Sequence, residues 1–150
     1  MALKVPPVVL YFLAAMLIWV ISELAPGLHP EWAASNAIAL TLVIIGIIIG
    51  ALGGGALRFS GTTVNPHAPD RASTLVVFGI YRYSRNPMYL GLVLLLIAWG
   101  IFLSSVFTIP VVIGFIMYMN RYQIEPEEKS LEDRFNQDYK DYKQRVRRWL

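Results

Sequence analysis

The sequence predicts an all-α polytopic membrane protein with about four transmembrane helices, two of which form a tight helical hairpin. Hydrophobic residues make up 56% of the 150-residue chain and charged residues only 15%. The apolar residues lie in long runs, since no charge occurs between Glu31 and Arg58 or between Arg85 and Arg121. A run of about 20 apolar residues spans a bilayer core of roughly 30 Å. The same composition excludes a disordered chain, which combines low hydrophobicity with high charge.

The first two apolar segments, residues 8–21 and 34–57, are each predicted to cross the membrane once. Segment 8–21 follows a single lysine and precedes a poor signal-peptidase site, so we interpret it as a retained helix and not as a secretory signal. Segment 34–57 contains Gly46 and Gly50 in a small-xxx-small pattern, which lets two helices approach closely. We expect one integral membrane domain over residues 1–150.

The third apolar block, residues 87–120, is too long for one helix. Its 34 residues would extend about 50 Å at 1.5 Å per residue. Ser104-Ser105 and Pro110 interrupt the block near its middle. The sequence therefore predicts a hairpin of two helices, residues 87–103 and 106–120, with a very short connection.

The basic residues predict how the chain is oriented. Of the thirteen Lys and Arg residues, only Lys4 precedes Arg58, and the other twelve lie in residues 58–85 and 121–148. Because cytoplasmic segments are enriched in Lys and Arg, we expect both termini and both polar segments in the cytoplasm, with the helices in the inner or plasma membrane. This asymmetry accounts for the net charge of +3, and no nucleic-acid-binding module is present.

The segment from Glu127 to Leu150 is predicted to form an amphipathic helix. Its apolar residues recur at intervals of three or four and define a single stripe. The stripe consists of Leu131, Phe135, Tyr139, Tyr142, Val146 and Trp149. A helix of this kind lies in the membrane interface and keeps its charged face in solvent.

Residues 58–89 form a polar segment that is too long for an idle connector. Asn86-Pro87 has the sequence of a helix N-cap followed by the first helical residue. Such a helix start, beside Arg82 and Arg85, is able to hold an anionic group. A plain cap with arginines that set the topology is an equally good interpretation of the residues alone.

Other chemistries have little support in the residues. The chain has no cysteine, which excludes disulfides and thiolate metal sites. His29 and His67 are predicted on opposite sides of the membrane, so we expect no metal. Glu127 and Glu128 are adjacent, and adjacent side chains on a helix point about 100° apart, which argues against the facing carboxylates of a glycosidase.

Two motifs resemble the signatures of the isoprenylcysteine carboxyl methyltransferase and phospholipid methyltransferase superfamily. The first lies within residues 65–91 and the second within residues 120–148, separated by the expected hairpin. The first reads Ser73-Thr74-Leu75-Val76, then Gly79-Ile80-Tyr81-Arg82, then Arg85-Asn86-Pro87-Met88-Tyr89-Leu90-Gly91. The second begins at Glu127-Glu128 and continues through the apolar stripe to Arg148.

The resemblance implies a membrane-embedded methyltransferase that uses S-adenosylmethionine and acts on a lipophilic small molecule or lipid. The long polar loop would then be a cytoplasmic cofactor-binding loop. The family's cofactor contacts correspond to Ser73, Thr74, Leu75, Val76, Tyr81, Asn86, Pro87, Met88, Tyr89 and Glu127. The corresponding candidates for catalysis and substrate binding are Glu128, Gln123 and Arg121.

Two positions depart from the pattern of the superfamily. Many relatives have His where this chain has Asn86, and members that methylate a prenylcysteine carboxylate carry Arg where this chain has Gln123. A carboxylate or thiolate acceptor needs no general base, whereas an amine must lose a proton, which would give Glu128 or a neighbouring carboxylate a role. Phospholipid N-methylation and thiol S-methylation therefore stand beside carboxyl methylation. An NADPH-dependent membrane reductase and a non-catalytic scaffold are the alternatives outside methyl transfer.

Overall fold

The computed structural model describes residues 5–25, 35–61 and 74–150. Within these ranges all regular secondary structure is helical, as predicted. The predictions made for His29, His67 and Ser73, and for most of the polar loop before Thr74, fall on residues outside the described ranges.

The first two helices are long and apolar enough to cross a membrane. Helix α1 comprises Pro7–Leu24 and helix α2 comprises Ser35–Phe59. Only 17% of the most apolar window of each helix is buried within the protein, so most of their apolar side chains face outward. Exposed apolar surface of this extent is stable in lipid and not in water, which agrees with an integral membrane protein.

The third apolar block forms the predicted helical hairpin. Helix α3 comprises Pro87–Phe102 and helix α4 comprises Thr108–Tyr118. The connection turns at Ser104, whose φ is 50°, and the Thr108 hydroxyl donates a 2.8 Å hydrogen bond to the Ser105 carbonyl group. Pro110 lies in the first turn of α4, where a missing N–H removes no helical hydrogen bond.

Helices α2 and α3 approach each other through glycine residues. A Cβ atom on Gly91 would lie 2.7 Å from the carbonyl oxygen of Gly46 and 3.2 Å from the backbone nitrogen of Gly50. The backbones therefore touch along the small-xxx-small face that the sequence predicts. A Cβ atom on Gly53 would lie 3.0 Å from the Pro87 ring, so α2 also supports the start of α3.

An apolar core lies between α1, α3 and α4. Its buried members are Ala14, Ile18, Tyr89, Val93, Leu96, Val112, Phe115, Met119 and Ile124. Tyr89 and Ile124 belong to this apolar cluster, yet they lie next to polar residues of the two signatures. The core therefore ends where the polar site begins.

Helix α4 runs without a break through a π-helix, Met119–Ile124, into helix α5, Glu125–Arg145. Single turns of π-helix are frequent at functional sites. Helix α5 bends sharply at Asn136, which has φ 47° and ψ −116°. As a result the Lys143 ammonium lies 3.1 Å from a Glu132 oxygen, although these residues would be about 16 Å apart along a straight helix.

The C-terminal helix differs from the prediction in both its length and its surroundings. Val146 is extended, with φ −124° and ψ 131°, so Arg148 and Trp149 lie beyond the helix. The stripe residues pack with Leu75 of the first signature; they are Leu131, Phe135, Tyr139, Tyr142 and Val146. The apolar face therefore covers part of the protein itself, because periodicity identifies an apolar face but not what packs on it.

The contact between α2 and α3 yields a stability prediction. Gly91→Ala should lower the free energy of unfolding by about 1–3 kcal/mol, the range for overpacking a closely packed site, because the new Cβ would overlap the α2 backbone. Gly54→Ala is the control, since a Cβ there meets nothing within 4 Å, and its thermal stability should match or slightly exceed that of the wild type. Thermal unfolding in detergent measures both. Equal unfolding temperatures for the two variants would show that the helices do not touch at Gly91.

Candidate active site

A hydrogen-bonded cluster joins α3 to the start of α5. The Tyr89 hydroxyl donates to Glu127 Oε1 at 2.6 Å. The Gln123 amide donates to the same Glu127 oxygen and, at 3.1 Å, to the Tyr89 hydroxyl. Tyr89 is 7% exposed and Gln123 is 3% exposed. The cluster therefore brings one predicted site residue of the first signature together with two from the second.

Local helix geometry explains why these three side chains meet. Tyr89 is the third residue of α3, whose start is fixed by Pro87. Gln123 lies near the end of the π-helix, and Glu127 lies four residues later in the first turn of α5. Residues four apart on a helix share a face, so Gln123 and Glu127 both point towards Tyr89.

Glu127 has no salt bridge among the described residues, and its hydrogen-bond donors there, Tyr89 and Gln123, are neutral. Burial raises the pKa of Glu127 to about 7, although the two donors favour the charged form. The neighbouring Glu128 carboxylate raises the pKa further. Glu127 is therefore a carboxylic group that gains or loses a proton close to neutral pH.

Glu128 is buried more fully than the half-buried Glu127, and it is matched by two arginines. Arg148 Nη2 lies 2.8 Å from Glu128 Oε2, and Arg148 Nε lies 3.2 Å from Oε1. Arg85 Nη2 lies 3.1 Å from Oε1. Bidentate arginine–carboxylate pairs are strong and hold a fixed geometry. The structure thus places Glu128, a candidate general base in the sequence, inside an ion-pair network.

The Arg85 guanidinium has N–H groups that form no hydrogen bond with the described residues. Its side chain is 10% exposed, and its Nε and Nη1 atoms are buried without a hydrogen-bond partner among the described residues. Buried donors in native proteins are normally paired. A buried guanidinium with two open donors is suited to bind an anionic group.

Asn86 occupies the N-cap position of α3, as predicted, but its side chain does not cap the helix. The prediction of a side-chain cap is therefore wrong. The Asn86 amide instead donates a 3.0 Å hydrogen bond to the Arg148 carbonyl group. The first turn of α3, which begins with buried Pro87 followed by half-buried Met88, has no side-chain acceptor from its N-cap.

The remaining predicted site residues differ in their burial and in their partners. Thr74 is exposed, Leu75 packs on the α5 stripe and Val76 is buried. Tyr81 is buried, burial raises the pKa of its hydroxyl, and its carbonyl group accepts a 2.7 Å hydrogen bond from the Tyr142 hydroxyl. These segments pack against α5, and Ser73 lies outside the described residues.

Arg121, a candidate for substrate binding, is exposed and lies outside the cluster. Its side chain is 73% exposed and pairs with Glu125 at 3.0 Å. Exposed pairs of this kind are worth little energetically. Arg121 therefore lies on the outer face of the π-helix, whereas Gln123, two residues later, faces inward.

Comparison with known proteins identifies the family. The model of the phospholipid methyltransferase family matches residues 34–138. The chain belongs to the phospholipid methyltransferase family. This membership confirms the resemblance carried by the two signatures and supports a membrane methyltransferase of the phospholipid or isoprenylcysteine type. A Haemophilus influenzae protein described as uncharacterized is 48% identical over 63 residues, which are 42% of this chain and all of that protein. No solved structure matches the chain.

The sequence of this phospholipid methyltransferase family member did not predict that Arg85 and Arg148 pair with Glu128. The sequence places Arg85 beside a helix start that is able to hold an anion and Arg148 at the end of the second signature, and it links neither of them to Glu128. A signal was present, because a buried carboxylate needs a cation or a proton. Which of the basic residues supplies the cation depends on the fold, since Arg85 and Arg148 are both distant from Glu128 in the sequence.

The raised pKa of Glu127 predicts a pH-dependent stability. Because its pKa is about 7 in the folded protein against an ordinary value of 4.5, the folded state binds the proton more tightly. The free energy of unfolding should therefore fall as the pH rises from about 4.5 to 7. Glu127→Gln removes this loss, so it should raise the unfolding temperature at pH 8 more than at pH 5.5. We expect a difference of a few degrees, since 1 kcal/mol shifts the temperature by about 2–4 °C.

The matched control for this measurement is Glu125→Gln, which removes an exposed carboxylate two residues earlier. Its effect on the unfolding temperature should be small at both pH values. A Glu127→Gln protein whose gain or loss of stability is the same at pH 5.5 and pH 8 would contradict the raised pKa.

Proposed function

We propose that the protein is an S-adenosylmethionine-dependent methyltransferase whose cofactor binds where the two signatures meet. The observation that carries this proposal is Glu127, a half-buried carboxylate whose described partners, Tyr89 and Gln123, are neutral. S-adenosylmethionine carries a sulfonium and an ammonium group. A cation beside Glu127 would supply the charge that the site lacks, and pairing is what makes a buried charge tolerable.

The anionic end of the cofactor also has a match in the described residues. Arg85 Nε and Nη1 are buried donors without partners there, and a guanidinium binds a carboxylate well. Asn86 is predicted from the resemblance to contact the cofactor, but its amide donates to the Arg148 carbonyl group. We therefore propose Arg85, beside the start of α3, as the main carboxylate contact. The resemblance further implies cofactor contacts at Ser73, Thr74, Leu75, Val76, Pro87 and Met88.

When bound, S-adenosylmethionine would supply an activated methyl group for an in-line displacement. The protein's contribution is to align the acceptor and to exclude water. Tyr81 and Tyr89 are buried beside Glu127 and provide apolar walls, and aromatic rings favour a neighbouring cation. In this proposal Glu128 takes no part in proton transfer, because its two oxygens are paired with Arg85 and Arg148.

A lipophilic acceptor fits the position of the site. The cluster lies at the end of the apolar core formed by α1, α3 and α4, where membrane helices give way to polar residues. An acceptor held in the bilayer reaches this level without leaving the lipid. From the distribution of Lys and Arg, we propose that this end and both termini are cytoplasmic and that the membrane is the inner or plasma membrane.

A lipid amine is the acceptor class that the charges favour. The cluster contains the Glu127 carboxylate, while Gln123 provides only a neutral amide where carboxyl methyltransferases carry Arg. A carboxylate acceptor would meet a like charge, and like-charge contacts cost several kcal/mol. A lipid ammonium would first have to lose a proton, for which Glu127 is the carboxylate of the cluster; the amine nitrogen would then take the methyl group as the C–S bond breaks and the donor leaves as a neutral thioether. Phospholipid N-methylation is therefore our preferred form of the reaction, and carboxyl or thiol methylation is the alternative.

Cofactor binding tests the proposal directly. Glu127→Gln should weaken S-adenosylmethionine binding by about 1.5–3 kcal/mol, the range for a hydrogen bond to a charged group, which is roughly a 10- to 150-fold loss of affinity. Calorimetry on the protein in lipid nanodiscs measures it, with Glu125→Gln as the matched control. An unchanged affinity in Glu127→Gln would remove this residue from the site, and no binding to the wild type would reject the proposed function.

The acceptor class is tested by Gln123→Arg. An arginine at this buried position would pair with Glu127 and neutralise it. Methylation of a phospholipid amine should then fall by about tenfold or more, which corresponds to at least 1.4 kcal/mol, and methylation of a prenylcysteine carboxylate should rise. Transfer of labelled methyl groups to the two acceptors measures this, with Gln123→Ala as the neutral comparison. Efficient wild-type turnover of a prenylcysteine, unaffected by Gln123→Ala, would exclude this position from acceptor choice.

A further inference from the structure

The chain beyond α5 turns back towards the start of α3. The Arg147 carbonyl group accepts a 3.1 Å hydrogen bond from the Arg85 backbone N–H. The next carbonyl group, that of Arg148, accepts a 3.0 Å hydrogen bond from the Asn86 side-chain amide. Two successive carbonyl groups are therefore bound to the turn that precedes α3.

The side chain of Arg148 binds the second signature at the same time. Its Nη2 and Nε atoms lie 2.8 Å and 3.2 Å from the two oxygens of Glu128. Its Nη1 atom lies 3.5 Å from the Asn120 side-chain oxygen in the π-helix, which also accepts a 3.1 Å hydrogen bond from the Trp149 indole. One residue thus connects the start of α3, the π-helix and α5.

Arg85 does not duplicate the contact that Arg148 makes with Glu128. Arg85 reaches Glu128 Oε1 through Nη2 alone, and its Nε and Nη1 atoms have no hydrogen-bond partner among the described residues. The Glu128 side chain is only 8% exposed. Without Arg148, Glu128 Oε2 would lose its cation, and a buried charge that loses its partner is strongly destabilised. Glu128 would then move, together with the turn of α5 that carries Glu127.

We infer that Arg148 is a positioning residue for methyl transfer, an inference that rests on the proposed function. It acts through Glu128, which adjoins Glu127, and through Asn86, which lies three residues before Tyr89. Tyr89 and Glu127 come from different signatures, and their 2.6 Å hydrogen bond depends on the relative placement of α3 and α5. Arg148 fixes this placement from outside the cluster.

Kinetics of three variants test the inference. Arg148→Ala should lower kcat/KM on the order of 10²-fold, the loss expected when reacting groups are displaced by about 1 Å. Arg148→Lys keeps a charge near Glu128 without the bidentate geometry, so its activity should lie between those of Arg148→Ala and the wild type. Arg147→Ala is the matched control, because the Arg147 side chain is exposed and only its carbonyl group binds Arg85. Initial rates with labelled S-adenosylmethionine in lipid nanodiscs provide the measurement.

Hydrogen exchange separates this inference from the proposed function, because it needs no ligand and no turnover. The Arg85 amide should exchange at least about tenfold faster in Arg148→Ala than in the wild type and Arg147→Ala, while amides in the middle of α2 keep their rates. Wild-type exchange and wild-type kinetics in Arg148→Ala would overturn the inference. If no variant and no wild-type sample transfers methyl groups, the proposed function fails, and the exchange rates alone then decide whether Arg148 holds the signatures together.

Global unfolding of Arg148→Ala would be recognised by faster exchange in α2 as well. In that case Arg148→Lys is the deciding variant. Intermediate activity of Arg148→Lys with normal exchange in α2 supports positioning by the bidentate contact of the Arg148 guanidinium with Glu128. Activity equal to that of Arg147→Ala contradicts it.

Discussion

Two adjacent carboxylates, the half-buried Glu127 and the buried Glu128, lie where α3, the π-helix and α5 meet, and the site depends on how their charges are balanced. Arg85 and Arg148 match Glu128, whereas Glu127 receives hydrogen bonds from neutral groups. Burying an unmatched carboxylate is unfavourable unless a proton or a cation accompanies it. The raised pKa of Glu127, about 7, reflects this cost. In the proposed function a cationic ligand takes the place of the proton.

Close packing of α2 on α3 and three departures from regular α-helix determine which side chains surround these carboxylates. Glycines bring the backbones of α2 and α3 into contact, which fixes the start of α3 and with it Tyr89. The π-helix turns Gln123 inward while Arg121 stays in solvent. The bend at Asn136 and the extended Val146 return the chain to α3, so that Arg148 reaches both signatures. The membrane helices thus supply a rigid frame, and the irregular segments supply the polar contacts.

The sequence predicted the helices well and the polar contacts poorly, for physical reasons. Charge-free runs indicate membrane helices, because a bilayer requires the backbone to satisfy its own hydrogen bonds, and Ser104-Ser105 with Pro110 indicate the hairpin. Periodicity identified the apolar face of α5, but it carries no information on the bend at Asn136 or on the extended Val146. The resemblance singled out Glu127 and Tyr89. The arginine partners of Glu128 come from distant parts of the chain, and only the fold shows which basic residues reach a buried acid.

Proton release on cofactor binding tests the central claim most directly. If a cation of S-adenosylmethionine pairs with Glu127, binding lowers the pKa of Glu127 from about 7 and should release about half a proton at pH 7. Calorimetry in buffers of different ionisation enthalpy measures the number of protons released. We expect this release in the wild type and its loss in Glu127→Gln. Binding without proton release, or with the same release in Glu127→Gln, would contradict it.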